Sequence, residues 1–199
     1  MCSTFEIKKV SGKDLASVTA SIRADGQESK IIRRTDIAPV FLSGMGITEM
    51  RWGFERPRLG VVNNTRSENL DSPMWRESIR ARRCLIPMSG FYEWSGAKGH
   101  KRTHRFGPRE GLLLWAAGIW EDSEQLGRCF SMLTTAANRL MAPVHHRMPA
   151  LLTAAECDSY LEGNMRSFSP GDGMLVVNDA ANPLTRKPQD DSQGDLFDF

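Results

Sequence analysis

An α+β domain built on a strand-rich core is the fold this sequence predicts, and three observations predict it. Short apolar runs, β-branched or aromatic and bounded by Gly, Pro or Asn, recur along the chain and read as strands. Helical patterns are fewer, and no segment repeats, which places the chain in the mixed class. The 199 residues are 40% hydrophobic and 25% charged, enough for one domain with a real core.

In chain order, residues 12–22 carry the first helical pattern, and 60–62 the first of the clearest strand runs. A second helix is expected over 73–81, with Pro73 at its first turn, where the missing N–H costs nothing. Strands follow at 83–87, 112–120 and 129–135. The third helix is expected over 153–161, where Thr153 caps and Glu156 stands three residues on, as a capping box requires. A last strand is expected at 173–177, and from Lys187 the chain reads KPQDDSQGDLFDF, a polar, acidic and disordered tail.

Net charge is only +2, yet Arg76, Arg80, Arg82, Arg83, Lys98, Lys101, Arg102, Arg105 and Arg109 crowd the middle while the last ten residues are acidic. A basic middle favours a polyanion partner; a solvated charged surface is the plainer alternative. Cys2, Cys84, Cys129 and Cys157 form no CxxC pair and read as reduced thiols of a cytoplasmic protein. No stretch approaches the ~20 apolar residues a membrane span needs. His145 and His146 are adjacent, not at the i, i+4 spacing of helical metal pairs, so no metal site is expected.

Cysteine at position two has its own chemistry. Removal of Met1 would leave Cys2 with an α-amine and a thiol on adjacent carbons, a 1,2-aminothiol. The amine condenses with an aldehyde to an imine, the thiolate adds to the imine carbon, and a thiazolidine closes without a cofactor. With ordinary pKa values near ~8 and ~8.5, both groups have an appreciable reactive fraction at neutral pH.

Three segments set polar or charged residues inside apolar, strand-like sequence: RWG at 51–53, NTRSE at 64–68 with RCLIPMSGFYEW at 83–94, and HHRMP at 145–149. Together with Cys2 and IAP at 37–39, they resemble, in order and spacing, the SRAP family of abasic-site processing proteins, from residue 2 to about 177. The resemblance implies one SRAP-type domain over residues 1–186, a strand-rich, barrel-like mixed β core flanked by helices, followed by the tail at 187–199. It also implies a monomer, associated with the nucleoid, that binds abasic sites in single-stranded DNA and cross-links to them reversibly.

Site residues follow from the matched motifs. Cys2 would supply amine and thiol. His145 matches the family's catalytic histidine and suits a proton shuttle that opens the closed sugar. Glu93 matches the active-site glutamate that deprotonates or orients the amine, its pKa raised by an apolar surround. Asn64 matches a residue bonding near the N-terminus and the sugar, and Arg66 a phosphate-binding position. Arg51, Arg83, Trp94 and Arg147 are expected on DNA, Trp52 resembles an aromatic wedge beside the lesion, and Pro39 is expected to line the same pocket. An imine also opens a β-elimination route, so the thiol decides between protecting the strand and cutting it. Met1 would leave by an aminopeptidase, or autocatalytically through Cys2 and Glu93, as the family's peptidase label implies.

The chain departs from the family at Ser3 and Thr4, where Gly-Arg is common, and at Asp36 and Asn69; loss of the Arg removes one phosphate contact. In the tail, Gln193, Leu196 and Phe197 of QGDLF resemble the anchors of a peptide that docks on the DNA sliding clamp. Two other readings stay open. One is an N-terminal-nucleophile peptidase or amidohydrolase using Cys2; the other is a non-covalent single-stranded DNA-binding module.

Overall fold

The structure is a computed structural model that describes residues 2–21, 29–111 and 113–185. The elements are β1 (Thr4–Ile7), α1 (Leu15–Ser21), β2 (Lys30–Arg33), β3 (Ile37–Leu42), β4 (Gly46–Trp52), β5 (Phe54–Arg56), β6 (Gly60–Val62), β7 (Asn64–Arg66), α2 (Arg76–Ala81), β8 (Arg83–Met88), β9 (Gly90–Ser95), β10 (Arg102–Pro108), β11 (Leu114–Ser123), β12 (Gly127–Ala136), β13 (Arg147–Pro149), β14 (Leu151–Leu152), α3 (Ala154–Leu161) and β15 (Leu175–Ala180). The α+β class and the barrel-like core are both present. Strands β12, β4, β3, β8 and β11 pair in a ring, and the β11–β12 pairing closes it. A separate antiparallel sheet runs β15-β10-β9-β1-β2.

The sequence dictates this layering through side-chain alternation. In β8, Cys84, Ile86 and Met88 join an apolar cluster with Phe5, Ile32, Phe91 and Phe106 of the antiparallel sheet, whereas Leu85 joins a second cluster with helix residues Val18, Ile79 and Tyr160. β11 divides the same way, Ala116 to the first and Trp115, Ala117 and Ile119 to the second. Strands covered on both faces read as continuous apolar runs, which is why RCLIPM is buried throughout. Gly118 marks close packing between these strands: a Cβ there would lie 2.8 Å from Ile86 Cδ1 and 2.9 Å from Cys84 Sγ.

Most element boundaries match the sequence expectation within a few residues. α3 carries the expected capping box, with the Thr153 N–H donating to Glu156 at 2.8 Å. Two differ. α2 begins at Arg76, and Pro73 lies in the turns before it. The last strand begins at Leu175, because residues Asp172–Met174 wind a 3-10 turn first. Among the described residues, no helix is long and apolar enough to cross a membrane.

Candidate active site at the N-terminus

Cys2 is placed by β1. The register pairs Phe5 with Phe91 and Glu6 with Gly90 on β9, and carried three residues further it directs Cys2 toward Trp94, beside Glu93. On the other side, Asn63, between β6 and β7, and Asn64, the first residue of β7, bring up two amides. Asn64 Nδ2 donates to the Cys2 carbonyl at 2.6 Å and Asn63 Nδ2 donates to it at 3.5 Å. The backbone of residue 2 is therefore held in a fixed pose, while Asn64 Oδ1 is a buried acceptor with no partner among the described residues.

Burial sets the electrostatics. Cys2 is fully buried, and its thiol donates weakly to the Thr4 carbonyl at 3.6 Å. Burial first, and then the charge of Glu93, push that thiol far above its ordinary value, so its thiolate is scarce at neutral pH, contrary to the sequence expectation. Glu93 is 4% exposed; burial raises its pKa, and the N-terminal ammonium, the Trp94 N–H and Lys101 draw it part of the way back. Burial and the same N-terminal charge lower the pKa of His145, leaving the ring neutral at pH 7.

The loop before β13 holds His145. Its N–H donates to the Met141 carbonyl at 3.0 Å, its Nδ1 accepts from the Arg147 N–H at 2.9 Å, and its ring stacks on His146 at 4.5 Å. The Arg147 carbonyl lies 3.2 Å from the same nitrogen; the shorter N–H contact assigns Nδ1 as acceptor and the proton of the neutral ring to Nε2.

The structure brings Cys2, Asn64 and Glu93 together, with Arg66 exposed on the rim of a cavity of about 600 Å³ that Asn64 also lines. Trp94 is half-buried on β9. Other expected DNA contacts are corrected. Trp52 is 0% exposed: its ring lies 5.0 Å from Phe5 and stacks on Phe130, and its Nε1–H donates to the Asn63 carbonyl at 2.7 Å. It is a core residue whose indole fixes Asn63, not a wedge. Arg83 is buried against the Tyr160 ring and donates to the carbonyls of Ile79, Tyr160 and Met165, so its anion is replaced by backbone. Arg147 is buried and bidentate to Glu68, with a further bond to the Thr134 carbonyl; it braces the His145 loop. Arg51 caps the Gly53 carbonyl and pairs with Glu55 at 3.5 Å. Pro39 lines a different cavity, with Lys8, Lys30 and Glu49 among its walls, since its neighbours Ala38 and Val40 are the ones that face the Cys2 cluster. Gln193, Leu196 and Phe197 lie outside the described residues.

Sequence reasoning missed Asn63, Glu68 and Lys101. The Asn63-Asn64 doublet and the Glu of NxRxE were in view, but only the geometry shows that both amides reach one carbonyl and that the carboxylate holds Arg147.

A closed strand ring beside an antiparallel sheet, with a buried cysteine at position two beside a buried carboxyl, defines the class of domain. The family model described as SOS response associated peptidase (SRAP) matches residues 1–183, and the chain belongs to that family. It is similar to the abasic site processing protein YoqW of Bacillus subtilis (strain 168), 32% identical over 118 residues, covering 53% of this chain and 52% of that protein. It is also similar to abasic site processing protein YMR114C of Saccharomyces cerevisiae, 33% identical over 91 residues (45% and 25% of the two chains), and to HMCES of Rattus norvegicus, 28% identical over 155 residues (57% and 44%). The chain spans about half the length of the first of these relatives. A solved structure of a Bordetella bronchiseptica protein shares the fold with TM-score 0.72 at 19% identity, covering 91% of this chain and 100% of that one; one from Bacteroides thetaiotaomicron does so with TM-score 0.69, also at 19% identity, covering 91% and 93%.

Proposed function

We propose that this protein processes abasic sites in single-stranded DNA by forming a reversible thiazolidine cross-link through Cys2 once Met1 has been removed. The observation that carries this reading is the clamp of Asn64 and Asn63 on the Cys2 carbonyl, in a place where the buried Glu93 carboxyl lies close enough to Cys2 for its charge to raise the thiol's pKa. The abasic sugar is a closed hemiacetal, and His145 relays the anomeric hydroxyl proton to the ring oxygen as the aldehyde opens, so the imidazole ends as neutral as it began. Glu93 takes a proton from the α-ammonium, and the amine attacks the aldehyde carbon. Glu93 returns a proton as water leaves, giving the iminium. The thiol sulfur then adds to the iminium carbon and its proton passes to the Glu93 carboxylate, so aldehyde and aminothiol yield thiazolidine and water. Because the buried thiol is held protonated, the amine acts first and the sulfur second.

The same iminium acidifies its neighbouring carbon, so strand cleavage is the side route when ring closure fails. Cys2 and Glu93 also supply the nucleophile and base for self-removal of Met1. Incubation with single-stranded DNA carrying one abasic site is expected to give a heat-stable cross-linked band. Cys2→Ala is expected to give cleaved strand and a borohydride-trappable adduct instead. Absence of the band from protein shown by mass to begin at Cys2 rejects the reading, and a heat-stable band from Cys2→Ala rejects the thiazolidine. The tail residues Gln193, Leu196 and Phe197 are proposed to dock the protein on the DNA sliding clamp, a flexible peptide seated by a few apolar anchors.

A further inference from the structure

Beyond Asn64, the cavity that Arg66 borders is walled by Leu59, Met74 and Trp75. Leu59 is 61% exposed and Met74 is 41% exposed, an unusual outlay of large apolar side chains beside a cation. Trp75 leads directly into α2, where Arg76, Glu77 and Arg80 border a second cavity of about 440 Å³ together with Arg166. Residues four apart on a helix lie on one face, about 5–6 Å from each other. Arg166 is neutralised by Asp71 at 2.6 Å and Glu77 is taken by Arg82 at 2.9 Å. Among the described residues, no carboxylate lies within ion-pair distance of Arg76 or Arg80. Trp75 of the first cavity and Arg76 of the second are neighbours in the chain, so cation, apolar wall and two further cations follow one another away from the site.

We infer that this groove is the track for one arm of the DNA strand that leaves the lesion. Arg66 holds the first phosphate, an unstacked base lies against Leu59 and Met74, and Arg76 and Arg80 take the phosphates that follow. Alternating cations and apolar platforms suit single-stranded nucleic acid, whose backbone is charged and whose bases are flat and apolar on their faces. The inference rests on the proposed capture of abasic single-stranded DNA and adds the path of the strand, with two binding residues on α2.

The test titrates wild type and the double variant Arg76→Gln/Arg80→Gln with short abasic oligonucleotides, and with versions extended only on the 5′ or only on the 3′ side. Extension on one side is expected to lower the half-saturating concentration for wild type, and the double variant is expected to lose that gain, roughly tenfold, while still cross-linking the short oligonucleotide. Each lost contact on a single strand flattens the salt dependence by ~0.7, so the slope on undamaged strand is expected to fall by about 1.4. The groove is overturned if neither extension helps, or if the double variant keeps both the gain and the slope. Failure of wild type to cross-link any oligonucleotide overturns abasic capture instead, and the salt slope on undamaged strand then still decides the groove.

Discussion

Glu93 is the residue whose titration the proposed reaction reads out. Burial raises its pKa above the ordinary carboxylate range, with the N-terminal ammonium, the Trp94 N–H and Lys101 opposing. The form that accepts the ammonium proton is the carboxylate, so cross-link formation is expected to fall as pH drops through that raised value. His145 is shifted the opposite way, downward, and stays neutral further into acid. Glu93→Gln is therefore expected to slow formation by about a hundredfold, a usual general-base contribution, and to abolish the acid limb of the rate profile. A limb that persists in Glu93→Gln would move the titration to another group. Single residues also show where sequence alone misleads. Trp52 and Arg83 sit in matched motifs, yet side-chain identity does not reveal which face of a strand looks outward. Only the ring stack on Phe130 and the three carbonyls around Arg83 assign them to the interior.

At the scale of elements, the placement of Cys2 depends on β1, which has only four residues. On the face opposite Phe5 and Phe91, Glu6 accepts from Tyr92 Oη at 2.6 Å and from the Arg105 guanidinium, which also donates to the Ser89 carbonyl at 2.9 Å. Gly90 and Gly107 make room for that guanidinium: a Cβ on either would come within about 3 Å of it, at 3.0 and 2.6 Å. The network fastens β1 across β9 to β10. Glu6 is itself buried, so removing Arg105 leaves a carboxylate with one neutral partner, a loss of about 2 kcal/mol for hydrogen bonds to a charged group. Arg105→Ala is expected to lower the midpoint of thermal unfolding and to slow cross-linking more than it weakens binding of undamaged strand, because β1 loosens beside an intact DNA surface. Equal loss of both would make the network a support of the fold alone. The long apolar runs of β8, β11 and β12 and the α3 capping box were legible in the sequence because burial and capping leave local marks. The β1 staple was not legible: Glu6, Tyr92 and Arg105 are scattered across a hundred positions, and only strand pairing makes them neighbours.

For the whole molecule, the chemistry at the N-terminus and the proposed clamp contact at the other end are separable. Among the described residues, every member of the two apolar clusters and their packed neighbours lies between Cys2 and Val177, and the last strand ends at Ala180. The family match likewise stops at residue 183. The motifs disclosed the site because its members lie in four short blocks, whereas the ring that assembles them, with β4 and β7 both running parallel to β12, has no local signature. Because β12 carries both β7 with Asn64 and β13 with Arg147 on its edges, the barrel is the common frame for the amide clamp and the histidine loop. Deleting residues 187–199 is therefore expected to change stability by less than about 0.5 kcal/mol, as for substitutions away from packed features, and to leave the cross-linking rate on abasic DNA unchanged. The same deletion is expected to abolish binding to a purified sliding clamp, as is Leu196→Ala/Phe197→Ala in the full chain. Clamp binding that survives both changes removes the tail from that interaction, and a slowed cross-link in the deletion would tie the tail to the active site.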